Sequence, residues 1–260
     1  MKITDIHAHY DDERFEGKEK ELLAELFSGN VETVVGAATK LETCKNQIAL
    51  AEAFDGFYAA VGIHPENADD PEKIEYTISE LEKMLSHPKV VALGEIGLDY
   101  YWEDYPPREI QKKYFEAQLE LAIKHDYPVV IHDREAHGDC LEVVRKYKGV
   151  RGVFHSFSGS AEMAKKLVSL GWYISFSGVV TFKNARKTVE AAEIVPLDRI
   201  LTETDAPYLT PHPFRGTRNN SAYVSYIVEK LAEIKGLTAD EMAQTVAENA
   251  RKLFFAKETF

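Results

Sequence analysis

Short apolar segments alternate with longer amphipathic segments along nearly the whole chain of 260 residues. The apolar segments are rich in Val, Ile, Phe and Tyr, which is typical of strands buried on both faces. About eight of them are predicted to be strands, namely 2–9, 31–38, 57–65, 90–97, 128–135, 152–159, 173–180 and 199–207. Helical spacing of apolar residues is found between or after them, at 18–27, 72–85, 108–125, 161–171, 185–195, 223–236 and 239–255. This alternation predicts an α/β fold, a closed parallel (β/α)8 barrel of the TIM type.

An open, doubly wound sheet is the competing architecture, but it usually has fewer strands, and no glycine-rich phosphate loop follows the first segment. No low-complexity tract, charge block or linker rich in Pro and Gly divides the chain. We therefore predict one domain that spans residues 1–260.

Composition limits the location and the partners that we expect. The two cysteines, Cys44 and Cys140, are far apart and lack the spacing of a metal site, so we predict free thiols and a reducing cytoplasm. No leader-like start and no run of 18 apolar residues is present, which predicts that the chain neither is secreted nor spans a membrane. The net charge of -12 argues against broad electrostatic binding to duplex nucleic acid.

Titratable side chains collect at the ends of the predicted strands, where the active sites of such barrels lie. They are His7, His9, His64, Glu95, His132, Asp133, His155, Glu203 and Asp205. Five of the 9 histidines are in this group, whereas His87, His125, His137 and His212 fall in predicted helices or loops and are interpreted as solvated or structural.

The strand-end residues have the chemistry of a divalent metal site. His7 and His9 are two apart on one strand, so both point to the same face and can hold one ion. Four histidines (His7, His9, His132 and His155) with Glu95 and Asp205 exceed the three or so protein ligands of one catalytic zinc. This surplus predicts two ions that share a bridging carboxylate, either Glu95 or Asp205. Two such ions can hold a bridging hydroxide at neutral pH, and this predicts hydrolysis.

Six separated motifs carry a family resemblance along essentially the whole chain: DIHAHYDD, GIHP, GEIGLDYYW, PVVIHDREA, FHSFSGS, and ETDAPYLTP with RGTRNN. In this order they resemble the TatD family of metal-dependent deoxyribonucleases, a branch of the amidohydrolase-like barrels. The resemblance implies a (β/α)8 barrel with two divalent ions (Mg, Mn or Zn) that hydrolyses phosphodiester bonds in DNA, commonly as a 3′ to 5′ exonuclease on single strands or strand ends. It further implies that His7, His9 and Asp205 hold one ion, that His132 and His155 hold the second, and that Glu95 bridges them.

Roles in catalysis and substrate binding follow as hypotheses. Asp205 is predicted to orient the attacking water and to take its proton, and Glu95 is the second catalytic carboxylate. The candidates for substrate contacts are His64, Arg134, Arg215 and Arg218. For His64 the alternative is a bond to backbone, and for the arginines it is pairing with nearby acidic residues. The aromatic residues 100–102 can stack an unpaired base or pack against the barrel.

One position departs from the family pattern. Many members continue with Glu-Pro after RGxRN, whereas Asn220 and Ser221 follow here, which puts any role of that acidic position in doubt.

Two other functions use the same residues. One is an amidohydrolase that cleaves a C–N, ester or lactone bond, including the ester of an aminoacyl-tRNA. Such enzymes often bridge their ions with a modified lysine on the fourth strand, where this chain has Glu95 and no lysine after Lys89. The other is a binding protein that has kept the barrel and lost activity, against which the presence of all six ligands argues.

The acidic charge of the chain is compatible with a nuclease that acts on a strand end, because two dications reduce the need for basic side chains.

Overall fold

The computed structural model of the protein describes residues 1–256, and all eight of its strands run parallel in one sheet. The strands are β1 (Ile3–Ala8), β2 (Val31–Ala37), β3 (Phe57–Val61), β4 (Val90–Asp99), β5 (Val129–Arg134), β6 (Gly152–Phe154), β7 (Tyr173–Phe176) and β8 (Ile200–Thr202). The helices are α1 (Glu19–Ser28), α2 (Leu41–Ala53), α3 (Ile74–Met84), α4 (Arg108–His125), α5 (His137–Lys146), α6 (Ala161–Ser169), α7 (Arg186–Ile194), α8 (Val224–Lys235) and α9 (Ala239–Phe254).

The strands are neighbours in chain order, from β1 to β8. The chain just after β8 returns to β1, where Ala206 forms a parallel bridge with Ala8 and the amide of Asp205 donates to the carbonyl of His7 at 2.9 Å. The predicted α/β barrel is therefore confirmed. The predicted domain boundary at residue 260 lies outside the described residues.

The outer faces of the strands are covered by apolar side chains of the helices. Leu81 of α3, Phe115 of α4 and Leu167 of α6 are all fully buried in one continuous core. Burial of this kind is the main force that holds the helices on the sheet and the carboxyl ends of the strands at one rim.

Two helices, α2 and α5, were missing from the segments identified by helical spacing. Helix α2 buries Gln47 together with Cys44, Leu50 and Ala51, so a polar residue interrupts its apolar face. Helix α5 has ten residues, begins without a side-chain cap and buries only Cys140, Val143 and Val144. The interrupted apolar face of α2 and the single turn of buried residues in α5 are too small a signal to predict these helices, and packing on the barrel stabilises both.

Strand β4 is the longest strand and is buried along its whole length. Its pairing with β3 and with β5 shifts in register, and the amide of Glu95 donates instead to the carbonyl of Ala38, which follows β2, at 2.9 Å. This irregularity carries Glu95 into the centre of the barrel rim. The Gly94–Glu95 peptide bond is cis.

None of the helices within residues 1–256 has both the length and the apolar composition that a membrane span needs.

Candidate metal centre

All six predicted metal ligands converge at the carboxyl end of the barrel. His7 and His9 lie in and just after β1, Glu95 in β4 and His132 in β5. His155 directly follows β6, and Asp205 lies three residues after the end of β8. Since these strands surround the axis, the six side chains meet from several sides.

Glu95 stands between the two groups of histidines, with one carboxylate oxygen directed at each. Its Oε2 lies 3.3 Å from Nε2 of His7 and 3.6 Å from Nε2 of His9. Its Oε1 lies 2.6 Å from Nδ1 of His132 and 2.7 Å from Nε2 of His155. A carboxylate whose two oxygens face two sets of imidazoles has the geometry of a bridging ligand.

Asp205 completes the group on the side of β1. Its Oδ1 is 3.4 Å from Nε2 of His9 and 3.7 Å from Nε2 of His7. The backbone of Asp205 adopts the left-handed region at φ 58°, and the hydrogen bond of its amide to His7 holds this turn against β1.

Three imidazoles are oriented by a partner on the ring nitrogen that faces away from Glu95. Nδ1 of His9 donates to the carbonyl of Ala37 at 2.9 Å. Nε2 of His132 contacts Oδ2 of Asp99 at 3.0 Å. Nδ1 of His155 contacts Oε1 of Glu203 at 3.1 Å. Carbonyl and carboxylate oxygens only accept, so each outward nitrogen carries the proton and each inward nitrogen directs its lone pair to the centre when the ring is neutral.

The carboxylates and imidazoles of the centre shift one another's pKa values. Burial opposes ionisation of each imidazole, but the hydrogen bond with Asp205 raises the pKa of His9 to about 9, and the charge of Glu95 raises the pKa of His132 to about 9. Burial works in the same way against Glu95, but the imidazoles of His155 and His7 hold the pKa of that carboxyl well below its ordinary value. Glu95 is thus ionised beside His9 and His132, which retain protons, whereas burial lowers the pKa of His7.

His64 was predicted as a substrate contact, and the structure places it against Glu95 and His132. Its Nε2 is 3.8 Å from Oε1 of Glu95, while its Nδ1 accepts the amide hydrogen of Glu66 at 3.2 Å. Burial and the neighbouring His132 lower the pKa of His64 to about 3, so the ring is neutral. A neutral imidazole that accepts at Nδ1 carries its proton at Nε2, which makes His64 a hydrogen-bond donor toward the centre.

Two carboxylates of the centre were not assigned a role from the sequence, Asp99 and Glu203. Both are fully or almost fully buried and contact a histidine rather than Glu95. A signal for Asp99 was present, because Glu95, Gly97 and Asp99 alternate along one strand and so share a face. Glu203 was noticed only as a residue at the end of a strand.

A third buried carboxylate, Asp5 of β1, connects this strand to the segment after β8 that carries Asp205. It accepts hydrogen bonds from the amide and hydroxyl of Thr204 at 2.9 and 2.6 Å and from the hydroxyl of Ser221 at 2.7 Å. Burial nevertheless raises the pKa of Asp5 to about 6. Ser221 occupies the position where the family resemblance leads one to expect proline after glutamate, and here its hydroxyl ties β1 to the segment after β8.

A cavity of about 750 Å³ opens above the centre. Its walls include Lys40, Arg134, Trp102, Tyr105 and Tyr208. Of the three predicted arginines, Arg134 is thus placed at the cavity, stacked 4.1 Å from the ring of Tyr101.

Arg215 and Arg218 are exposed and absent from the cavity wall formed by the described residues. Arg215 lies 3.9 Å from the ring of Phe182, and Arg218 donates to the carbonyl of Arg14 at 2.6 Å. Their assignment as substrate contacts stays a prediction. Tyr100, by contrast, is half-buried, and its hydroxyl donates to Asp139 at 2.7 Å, which favours packing over base stacking for this residue.

The donor set fits divalent ions. Imidazole and carboxylate are ligands for borderline divalent metals, and inward lone pairs that face a buried carboxylate at 2.6 to 3.6 Å need a cation or protons between them. Groups of three such residues that could hold an ion include His7, His9 and Glu95, and also His64, Glu95 and His132. Barrel and site together define a metal-dependent hydrolase.

Comparison with known proteins identifies the family. The family described as "TatD related DNase" matches residues 4–255, and the chain belongs to it. The chain is 40% identical, over 97% of its length and 98% of the relative's, to YabD of Bacillus subtilis (strain 168), described as an uncharacterized metal-dependent hydrolase. YcfH of Escherichia coli (strain K12), with the same description, is 38% identical over 98% of this chain and 96% of its own.

A solved structure has the same fold. It is the TatD homologue YjjV of Escherichia coli K12, with 33% identity, a TM-score of 0.88, and coverage of 97% of this chain and 98% of that one. The predicted membership of the TatD family is confirmed.

Proposed function

We propose that the protein is a divalent-metal-dependent deoxyribonuclease that removes nucleotides from DNA in the 3′ to 5′ direction. The observation that carries this proposal is the position of Glu95, whose two oxygens face separate pairs of histidines at 2.6 to 3.6 Å. Sites with two ions that share a bridging ligand are typical of enzymes that hydrolyse phosphodiesters. The family description as a DNase supports DNA as the substrate.

The ligands divide into two sets around Glu95. His7, His9 and Asp205 are proposed to hold one ion, and His132 and His155 the second. When bound, such ions lower the pKa of a coordinated water and neutralise charge on phosphoryl oxygens. Mg, Mn and Zn are all compatible with these donors.

Two side chains of the centre have roles that follow from their own chemistry. Asp205 is ionised, since burial is outweighed by its hydrogen bond with His9 and the pKa of its carboxyl lies below the ordinary value. It borders the cavity and is proposed to orient the attacking water and take its proton. His64, with its proton on Nε2, is proposed to donate a hydrogen bond to a phosphoryl oxygen as negative charge develops there.

The cavity favours a strand end over a long duplex. Lys40 and Arg134 are the lysine and arginine side chains that border it among the described residues, and Asp11 and Asp12 also lie on its wall. With a net charge of -12, binding of a long phosphate backbone has little electrostatic support. The substrate is therefore proposed to be single-stranded DNA or the unpaired end of a duplex.

The test is hydrolysis of single-stranded oligonucleotides labelled at the 3′ or the 5′ end, with EDTA, Mg²⁺, Mn²⁺ or Zn²⁺. We expect metal-dependent release of nucleotides from the 3′ end, loss of activity in His132→Ala, and normal activity in His87→Ala, a histidine outside the centre that contacts Glu52. Asp205→Asn is expected to abolish turnover while the oligonucleotide still binds.

Three outcomes would contradict parts of this proposal. Intact DNA under every metal would exclude the nuclease and direct the search to C–N, ester and lactone substrates, including aminoacyl-tRNA. Release from the 5′ end would overturn the direction. Near-normal turnover of Asp205→Asn would remove Asp205 as the proton acceptor.

A further inference from the structure

Two exposed aromatic rings stand on opposite sides of the cavity, and neither belongs to the metal centre. Tyr208 follows Asp205 by three residues after β8, and Trp102 follows Asp99 by three residues after β4. The strands are arranged in order around the barrel, so β4 and β8 are opposite one another. Both rings border the cavity, with 42% of Tyr208 and 46% of Trp102 exposed.

The ring of Tyr208 is held rigidly. Its hydroxyl donates to Oδ2 of Asp12 at 2.8 Å, and the guanidinium of Arg14 lies 4.0 Å from the ring centre. Arg14 is itself paired with Asp12, with 3.1 Å between Nε and Oδ1. One face of the ring is thus covered by a cation, and the ring borders the cavity beside His9 and Asp205.

The ring of Trp102 is supported in a similar way. The guanidinium of Arg134 lies 5.3 Å from its ring centre and 4.1 Å from that of Tyr101. The loop is anchored by the amide of Tyr101, which donates to Oδ1 of Asp99 at 2.9 Å. Each of the two rings is fixed by an arginine on its own wall of the cavity. Such a ring loses little conformational freedom when a flat ligand stacks on it.

We propose that Tyr208 and Trp102 are stacking platforms for two unpaired bases, one on each side of the bond that is cut. This inference rests on the proposed function. A phosphodiester above Glu95 has a nucleoside on either side, and each wall offers an aromatic face for one of them. Stacking on an aromatic ring contributes about 1 to 3 kcal/mol per base and accepts every base, so it supplies affinity where an acidic protein has few cations.

The proposal has a consequence for the substrate. Bases in a duplex are stacked on each other, so both nucleotides next to the bond must be unpaired before they can reach the two rings. The enzyme should therefore need at least two unpaired nucleotides, and a mononucleotide should use only one platform.

The test measures binding to the full-length protein in Mg²⁺ with a thymidine dinucleotide whose bridging oxygen is replaced by a methylene group that cannot be hydrolysed. Trp102 reports on its own platform, because the second tryptophan, Trp172, is only 2% exposed and is shielded from the ligand. We expect the dinucleotide to quench the fluorescence of Trp102. Tyr208→Ala should raise the dissociation constant about 5- to 150-fold, the equivalent of about 1 to 3 kcal/mol. Tyr76→Ala, at a tyrosine of α3 that is 61% exposed, is the matched control and should bind like the wild type.

A second comparison assigns each base to its platform. Two analogues of the dinucleotide each lack one base, with a tetrahydrofuran in place of the nucleoside. Affinities in this comparison are measured by calorimetry, since Trp102→Ala removes the fluorescent reporter. For one analogue, Tyr208→Ala should cause no further loss of affinity, because the base that stacks on Tyr208 is already absent. For the other analogue, Trp102→Ala should cause no further loss.

The inference would be overturned if Tyr208→Ala bound the intact dinucleotide as tightly as the wild type does. It would also be overturned if Tyr208→Ala lost the same affinity, relative to the wild type, for both analogues. A dinucleotide that fails to bind at all would overturn it as well. If the wild type still cleaves DNA in any of these cases, the nuclease function stands and only the platforms are excluded. If DNA is not cleaved either, the proposed function itself has failed.

Discussion

At the scale of the residue, the chemistry of the centre depends on which nitrogen each imidazole turns inward. His132 has a carboxylate on both sides, Glu95 at Nδ1 and Asp99 at Nε2. Asp99 also accepts the amide of Tyr101 through its other oxygen. One buried side chain therefore orients a proposed metal ligand and fixes the loop that carries Trp102.

Asp99→Asn tests this role. The amide can still accept from Tyr101, but its nitrogen cannot accept the proton on Nε2 of His132, so the ring loses its orientation. We expect metal affinity, measured by calorimetry, and hydrolysis to fall about 10- to 100-fold. Asp104→Asn, at an exposed aspartate of the same loop, is the control and should change neither. Unchanged metal affinity in Asp99→Asn would show that Asp99 does not position His132.

Metal binding should also depend on pH. In the metal-free protein the pKa values of His9 and His132 are raised to about 9, so both rings hold an extra proton at neutral pH. A divalent ion binds through the nitrogen lone pair that this proton occupies, so the proton must leave first. Binding therefore releases protons, and the affinity of the protein for the ion rises with pH from about 6 to 9.

Calorimetric titration of the metal-free protein with Mn²⁺ at pH 7.5, in two buffers with different heats of protonation, measures this release. We expect at least about one proton per protein to leave on binding. Identical heats in the two buffers would contradict the raised pKa values.

At the scale of the element, strand β4 determines how the two halves of the centre meet. Glu95, Gly97 and Asp99 alternate along it, and Gly97 lies against the backbone of His132 in β5. The φ of Gly97 is +145°, and a Cβ at this position would lie 2.0 Å from the carbonyl oxygen of His132. Only glycine lets these two strands approach closely enough for Glu95 and Asp99 both to contact His132.

Gly97→Ala should therefore act on both stability and metal binding. The added methyl group meets backbone atoms that cannot move without displacing His132, so we expect a loss of about 3 kcal/mol or more in the free energy of unfolding, measured in urea. Gly138→Ala in α5 is the control, because a Cβ there has no neighbour within 4 Å and φ is not positive. A Gly97→Ala protein with unchanged stability would exclude this account of β4.

At the scale of the whole molecule, the barrel is closed by polar contacts between segments near the two ends of the chain. Asp5 of β1 accepts hydrogen bonds from Thr204 and Ser221, which lie 199 and 216 residues further along. The hydroxyl of Tyr10 contacts that of Ser221 at 2.8 Å and joins the same network. This network brings the segment that carries Asp205 beside His7 and His9.

Replacing Thr204 tests the closure. Thr204→Val keeps the shape of the side chain but removes the hydroxyl that donates to Asp5, so a buried carboxylate loses a partner. We expect the free energy of unfolding to fall by about 1 to 3 kcal/mol. Thr204→Ser retains the hydroxyl and should lose clearly less. Equal losses in the two variants would show that the methyl group, not the hydrogen bond, stabilises this junction.

Some of this arrangement was accessible from the sequence. The family was inferred from the resemblance of six motifs. Eight apolar segments, six of which end in ligand-type residues, predicted the barrel and the six converging side chains. These features depend on short-range periodicity and on the rule that parallel strands end at one rim. Helices α2 and α5 were missed because the apolar face of α2 is interrupted and that of α5 spans about one turn, while packing on the sheet supplies their stability.

The sequence by itself determined the order of the strands, the residue types at their ends and the class of chemistry, which is metal-dependent hydrolysis. Each of these follows from the spacing of residues within short segments. The chemistry of the residues left open whether Glu95 or Asp205 lies between the histidine pairs, the family resemblance implied Glu95, and the structure places Glu95 there. Only the tertiary structure decided that Asp99 and Glu203 orient His132 and His155, and that Arg134 but not Arg215 reaches the cavity. These contacts join residues in or directly after different strands, 33 positions apart for Asp99 and His132 and 48 for His155 and Glu203. The register of the closed barrel determines such contacts, and local spacing in the chain carries no information about that register.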